Sequence, residues 1–207
     1  LIKLGCKIKW IGKRKIQIDG VKSLKNINYN IMFDRIEAGT YMIAAAATNG
    51  RVAIKNIEPK IISKEISLLK KIGIKIIEKK NKITIIGSRN LKSINIKTAP
   101  YPGFPTDLQA QLMVLMCKAK NKSIIEENIF ENRFMHVSEL NRMGANIIVK
   151  GRKAIINGNK KLNGAQLMAT DLRASVSLII AALISSKKSV IHRIYHLDRG
   201  YENIEKK

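Results

Sequence analysis

Two cysteines, Cys6 and Cys117, are all the thiol chemistry that the 207 residues contain. That is too few for a disulfide framework, and no zinc-ligand spacing surrounds either one. A reducing cytoplasm is the expected setting, and each thiol reads as a small buried apolar group rather than a nucleophile. Long apolar runs are also missing. The longest lies within Ser177–Ile184, far short of the roughly 20 residues a membrane span needs, so no membrane partner is expected. Leu1–Trp10 carries three lysines among its apolar residues, which does not fit a signal-peptide core. Acidic residues are scarce, 15 against 39 lysines and arginines, giving a formal charge of +24. Such a charge raises nucleic acid as a partner. The lysines, however, are spread along the chain, and Ile, Lys and Asn rise together, as coding bias produces. Nucleic acid is therefore not the expected partner, and a basic field would equally draw a phosphorylated substrate.

What is present is a unit that repeats without repeating its letters. Asp34, Asp107 and Asp171 each open an apolar stretch, and an isoleucine follows 22 or 23 residues later at Ile57, Ile129 and Ile194. After a further 15 or 16 residues comes a glycine, Gly73 and Gly144, and a third would fall just past the last residue. Long internal periods mark stacked supersecondary units, and the chain is expected to be a piece of a larger array. The stretches Tyr41–Ala47, Leu108–Ala119 and Leu172–Ile184 run without Gly or Pro and read as helices. Asp34-Arg35-Ile36-Glu37 is a capping-box pattern, and Thr106-Asp107 and Thr170-Asp171 offer the same N-cap chemistry. A polar break and a short strand follow each helix, then a second helix that Gly73 or Gly144 caps.

A hairpin closes each unit: Ile74–Glu78 with Lys82–Ile86, and Asn146–Lys150 with Lys153–Asn157. The same pattern over Lys7–Trp10 and Arg14–Asp19 makes residues 1–20 the tail of a preceding unit. Two complete units follow, then a third that lacks its hairpin. A lone unit cannot bury both faces of its elements. Three of them around a pseudo-threefold axis can, with helices inside and sheets outside. One insertion breaks the regularity. Gly87 to Asp107 spans 20 residues where the matching intervals are 14 and 13, and it holds three of the four prolines within residues 100–105. Rigid preorganisation of this kind suits a loop that must hold Asp107 in place.

Five strings now carry a resemblance: Asp34–Thr40, Phe104–Gln111, Glu131–His136, Thr170–Ser175 and Asp198–Glu202. They are similar to those of the UDP-N-acetylglucosamine 1-carboxyvinyltransferases, a family of enolpyruvyl transferases, in the same order and over essentially the whole chain. The related shikimate-pathway transferase shares the fold and is not expected to carry these strings. The resemblance implies an inside-out α/β barrel of three βαβαββ-type units, with residues 1–30 finishing one domain and residues 31–207 forming most of the other, its third unit truncated. It also implies transfer of the enolpyruvyl group of phosphoenolpyruvate to the 3-hydroxyl of UDP-N-acetylglucosamine with release of phosphate, the cytoplasmic step that starts peptidoglycan synthesis. Phe33 departs from the proline usual before Asp-Arg-Ile-Glu. The family's reactive-cysteine loop and a lysine–asparagine pair belong to an N-terminal half that the resemblance places outside these residues. Neither Cys6 nor Cys117 has a matching context, so no cysteine role carries over. The resemblance also implies that phosphoenolpyruvate binds between two domains, one of them nearly absent here, so the chain alone is expected to be inactive.

By the same resemblance, Asp107 and Arg199 are the candidate catalytic residues. Asp107 would be the base facing the sugar hydroxyl, although spacing alone makes it a plain helix cap. Ile129 would touch the nucleotide sugar through its backbone, or else be a core isoleucine like its equivalents. Arg133, Arg173 and Arg199 are the cationic candidates for phosphate or carboxylate, with Arg199 on phosphoenolpyruvate and Asp171 paired to Arg173. Glu37, Glu131, His136, His192 and His196 are weaker candidates, His136 reading as a packed or capping residue. No cofactor is implied, and no carboxylate completes a metal pattern with His192 and His196. The alternatives are a non-catalytic remnant or sugar-nucleotide-binding module, and a charge-driven nucleic-acid binder.

Overall fold

The computed structural model describes residues 1–204 and 206, which fall into two compact units, Leu1–Met32 and Phe33–Lys207. In the first, β1 (Lys7–Gly12) and β2 (Lys15–Asp19) form an antiparallel hairpin with a register shift between Trp10 and Gly12. Gly5, at φ 100°, ends the 3-10 turn of Ile2–Leu4 that leads into it.

The second unit is built on three inner helices, α1 (Arg35–Ala47), α3 (Gln109–Cys117) and α5 (Leu172–Leu183). Each contacts the other two. All nine residues of α3 are buried, so this helix has no solvent face and is apolar apart from Gln109 and Gln111. Gly39 in α1 makes the close approach possible: a Cβ there would lie 2.3 Å from Leu108 Cδ1. One polar chain runs through this interior. Gln111 Nε2 donates to Thr40 Oγ1 (3.2 Å), which shares a 2.9 Å hydrogen bond with the Tyr201 hydroxyl. It ties α1, α3 and the segment after residue 197 together at buried positions, where an unpaired hydroxyl would cost stability.

Sheets pack around the helices. β3 (Arg51–Lys55), β5 (Lys82–Ile86) and β4 (Lys75–Lys79) form an antiparallel sheet in that order. The middle sheet has four strands in the order β6 (Asn95–Lys97), β7 (Lys122–Glu126), β9 (Lys153–Asn157), β8 (Ile147–Lys150), with β6 parallel to β7. In the last, β10 (Gln166–Met168) runs parallel to β11 (Val190–His192). The outer helices α2 (Ser63–Ile72) and α4 (His136–Arg142) return each unit to its hairpin. Gly73 at φ 105° and Gly144 at φ 90° take the left-handed conformation that ends them, as their spacing predicts.

Two details depart from the sequence reading. The strands β6 and β10 lie in segments where no strand is expected, because three residues are too few to carry a period. The second departure concerns helix caps. Asp34 and Asp171 cap α1 and α5 as expected: Asp34 accepts from the amides of Ile36 (2.7 Å) and Glu37 (3.0 Å), and Asp171 from those of Arg173 and Ala174 (both 2.8 Å). Thr106 and Asp107 cap nothing. A 3-10 turn over Thr106–Leu108 precedes α3, so the extended N-cap position falls on Pro105, which has no side-chain acceptor. Asp107 already lies inside the helical turn, and its carboxylate points elsewhere.

Candidate active site

Released from capping, the Asp107 carboxylate meets two guanidinium groups. Arg133 Nη2 lies 2.7 Å from Oδ1, and Arg173 Nη2 3.5 Å from Oδ2. The three side chains come from three places: the turn before α3, the loop between β7 and α4, and the first turn of α5. Arg133 also donates from Nη1 to Thr106 Oγ1 (2.9 Å), and its guanidinium sits 4.8 Å from the centroid of the Phe130 ring. It is therefore fixed on three sides, and a charge-assisted pair of this length carries orientation as well as energy.

Beside this cluster opens a cleft of about 540 Å³, with Phe130, Arg133, Asp171, Arg173, His196 and Arg199 among its lining residues. Arg199 is exposed there and has no ion pair among the described residues. Arg173 keeps one buried guanidinium nitrogen, Nη1, without a hydrogen-bond partner, and so does His196 at Nε2. The open Arg173 N–H in a concave basic wall suits an anion.

The expected Asp171–Arg173 ion pair is replaced by another arrangement. The Asp171 carboxylate takes the backbone amide of Arg173, while the Arg173 guanidinium turns to Asp107. Both cap bonds fall on Asp171 Oδ1, so it is the turn of the Arg173 guanidinium to Asp107 that leaves the expected pair unmade. Ile129 is 37% exposed, as against 1% for Ile57, so it is not the core isoleucine its equivalent is. Its amide donates to Glu127 Oε1 at 2.8 Å, which leaves any backbone contact with a ligand to its carbonyl.

The weaker candidates separate. His136 is buried to 2% exposure as the first residue of α4, and burial pushes its pKa down to about 4, with Asp171 opposing and Arg133 reinforcing that fall. It is neutral and packed. Glu131 pairs at 3.4 Å with Arg152 on the surface. His192 shares an exposed 2.8 Å hydrogen bond with Gln166. Among the described residues, no three His, Cys, Asp or Glu side chains converge as metal ligands would.

Sequence reasoning missed Glu127. It is fully buried and accepts four hydrogen bonds, from the hydroxyls of Thr98 (2.8 Å) and Thr106 (2.7 Å) and from the amides of Ile129 (2.8 Å) and Phe130 (3.2 Å). The available signal was its position. Two residues before the repeat isoleucine, the other units carry Lys55 and His192.

The proline loop between Thr98 and Thr106 is closed on itself. Ala99 N donates to Phe104 O (2.9 Å), Gly103 N to Pro100 O (2.7 Å), and Phe104 is buried. At its tip the Tyr101 ring lies 5.0 Å from the Arg35 guanidinium.

Comparison with known proteins agrees with this picture. The family model for EPSP synthase (3-phosphoshikimate 1-carboxyvinyltransferase) matches residues 1–207. UDP-N-acetylglucosamine 1-carboxyvinyltransferases from Pelagibacter ubique and Geotalea daltonii are 66% and 56% identical over all 207 residues, which cover 50% of each relative. The chain thus spans about half the length of the curated relatives it matches. Among solved structures, the enolpyruvyl transferase NikO from Streptomyces tendae superposes with a TM-score of 0.85 at 26% identity, over 97% of this chain and 48% of that one. EPSP synthase from Acinetobacter baumannii, at 21% identity and a TM-score of 0.73 over 97% of this chain and 50% of that one, shares the fold. The expected enolpyruvyl transferase-type α/β architecture is therefore the observed one.

Proposed function

The chain belongs to the EPSP synthase family of carboxyvinyl transferases, and from that premise we propose that it supplies the sugar-nucleotide half of a UDP-N-acetylglucosamine 1-carboxyvinyltransferase site. The observation that carries this reading is the Asp107 carboxylate, freed from the helix cap and gripped by Arg133 and Arg173 beside a basic cleft. A carboxylate so held can accept the proton of the sugar 3-hydroxyl as its oxygen attacks the substituted carbon of phosphoenolpyruvate. The methylene carbon gains a proton, a tetrahedral adduct forms, and loss of phosphate with a methyl proton regenerates the enol ether. Arg199, Arg173 and Arg133 would hold the phosphate and carboxylate charge, and the Ile129 carbonyl the nucleotide sugar. Asp171 would act by fixing the start of α5, and so Arg173.

Cys117 is no substitute for a reactive cysteine: burial pushes its pKa up to about 12, which keeps the thiol protonated. The chain alone is therefore a binding half-site, and turnover needs the remainder that its relatives carry. In the cell the reaction would serve cell-wall synthesis in the cytoplasm. No helix among the described residues is long and apolar enough to cross a membrane.

The test is calorimetric titration of the 207-residue chain with UDP-N-acetylglucosamine. Saturable binding that Asp107→Ala weakens is the expected result. No binding would favour a remnant module, and tight binding to any polyanion with a steep salt slope would favour a charge-driven nucleic-acid contact. Phosphate release by the chain alone would overturn the half-site limit.

A further inference from the structure

A buried carboxylate is costly unless donors replace its water, and Glu127 has four of them without a demand from the repeat, since Lys55 and His192 fill the matching places. What distinguishes the middle unit is the proline loop, and Glu127 binds both ends of it. Oε1 takes the hydroxyl of Thr98, and Oε2 takes that of Thr106. Thr98 Oγ1 in turn accepts from the Asn128 amide at 2.9 Å, so the loop's beginning is also stitched to the turn after β7. Because Thr106 spends its proton on Glu127, its oxygen lone pairs are left to face the Arg133 Nη1–H. The other terminal nitrogen of Arg133 then meets Asp107.

We propose that Glu127 is a positioning residue for the Asp107 site: by closing the base of the proline loop it orients the Thr106 hydroxyl, and through it Arg133 against Asp107. This rests on the proposed transferase reading, but its structural part can be tested without any ligand. In Glu127→Gln one oxygen can still accept from Thr98 and the two amides. The new amide N–H then faces Thr106, so the hydroxyl proton loses its acceptor and the hydroxyl must rotate. The lone pairs that held the Arg133 N–H turn with it, and Arg133 loses its fixed position.

The experiment compares the 207-residue chain with Glu127→Gln, Thr106→Val and Thr106→Ser. The first readout is the nitrogen-15 spectrum of the Arg133 guanidinium. Separate signals for its two terminal nitrogens are expected in the parent chain and in Thr106→Ser, and merged or broadened ones in the other two variants. The second is affinity for UDP-N-acetylglucosamine, expected to fall roughly tenfold in Glu127→Gln and Thr106→Val, the loss of about one hydrogen bond, and to be kept in Thr106→Ser. Leu140→Ala, a core variant in α4, controls for general loss of stability and should move neither readout. Unchanged Arg133 signals in Glu127→Gln would overturn the proposal. If that variant does not fold, Thr106→Val decides by the same criterion, since it leaves the other three bonds of Glu127 in place. A parent chain that binds no sugar nucleotide would count against the transferase reading, while the Arg133 spectrum would still decide the role of Glu127.

Discussion

The first unit enters its inner helix on Asp34 and the middle unit on Asp107, and the two aspartates do opposite work. Asp34 closes two free amides of α1. Asp107 closes none, and its carboxylate is held by Arg133 and Arg173. The difference extends around the unit. Ile57 is buried and Ile129 half-exposed. Where the first unit has Ile61 and Ile62, the middle one has Arg133. Eight residues before the capping glycine stands Glu65 in the first unit and His136 in the middle one. In the first unit each of these positions serves the fold. The middle unit keeps the same helices and strands but moves polar groups from holding up the fold to facing a cleft, and a proline loop with a buried glutamate takes over the structural work.

The largest effect is expected from His136. Below about pH 6.5 the unfolded histidine is protonated while the folded one, with its pKa near 4, is not. Unfolding therefore takes up a proton, and stability falls as pH drops through that window. The loss between pH 7 and pH 4 is about 3 kcal/mol, and urea titrations of His136→Gln should lack it. Glu65 has the opposite sign. Burial raises its pKa, although its own backbone hydrogen bonding and Arg35, 3.3 Å away, lower it in part. Its contribution is full below the ordinary carboxyl range and is lost as pH rises, a slope that Glu65→Gln should remove.

Next in size, Asp107→Ala is expected to weaken UDP-N-acetylglucosamine about 30-fold, from loss of hydrogen bonding to a charged group, while Asp34→Ala changes it less than about twofold. Calorimetry reads both. In unfolding the order reverses for the caps: Asp34→Ala and Asp171→Ala should each cost about 1 kcal/mol, and Asp34→Ser much less. Smallest of all, Glu131→Ala should lie within about 0.5 kcal/mol of the parent chain by urea titration, since the Glu131 carboxylate is largely in solvent.

Much of the scaffold was legible because its signals are local. Hairpins alternate within a few residues of their turns, and Asp34, Asp171, Gly73 and Gly144 act through neighbours one to five positions away. The five strings also marked Asp107, Arg133 and Arg173, which come together in space. What could not be read depends on distant partners. β6 and β10 are strands only because β7 and β11 lie beside them. Glu126 and Glu127 look alike in sequence, but Glu126 faces Lys97 and Lys153 near the surface while Glu127 is enclosed by Thr98 and Thr106. The cap prediction failed at Asp107 because capping depends on where the first helical turn begins. Pro105, extended at φ −73° and ψ 139°, takes the N-cap position, so the turn begins at Thr106, one residue before Asp107.

On the proposed function, one repeat position serves structure in the first unit and ligand in the middle unit. Carboxyl-carbon NMR of the chain labelled at aspartate, titrated with UDP-N-acetylglucosamine, tests this most directly. The Asp107 signal is expected to shift to saturation while that of Asp34 stays still. An Asp107 signal that does not move when the ligand is bound, or an Asp34 signal that moves as far, would contradict it.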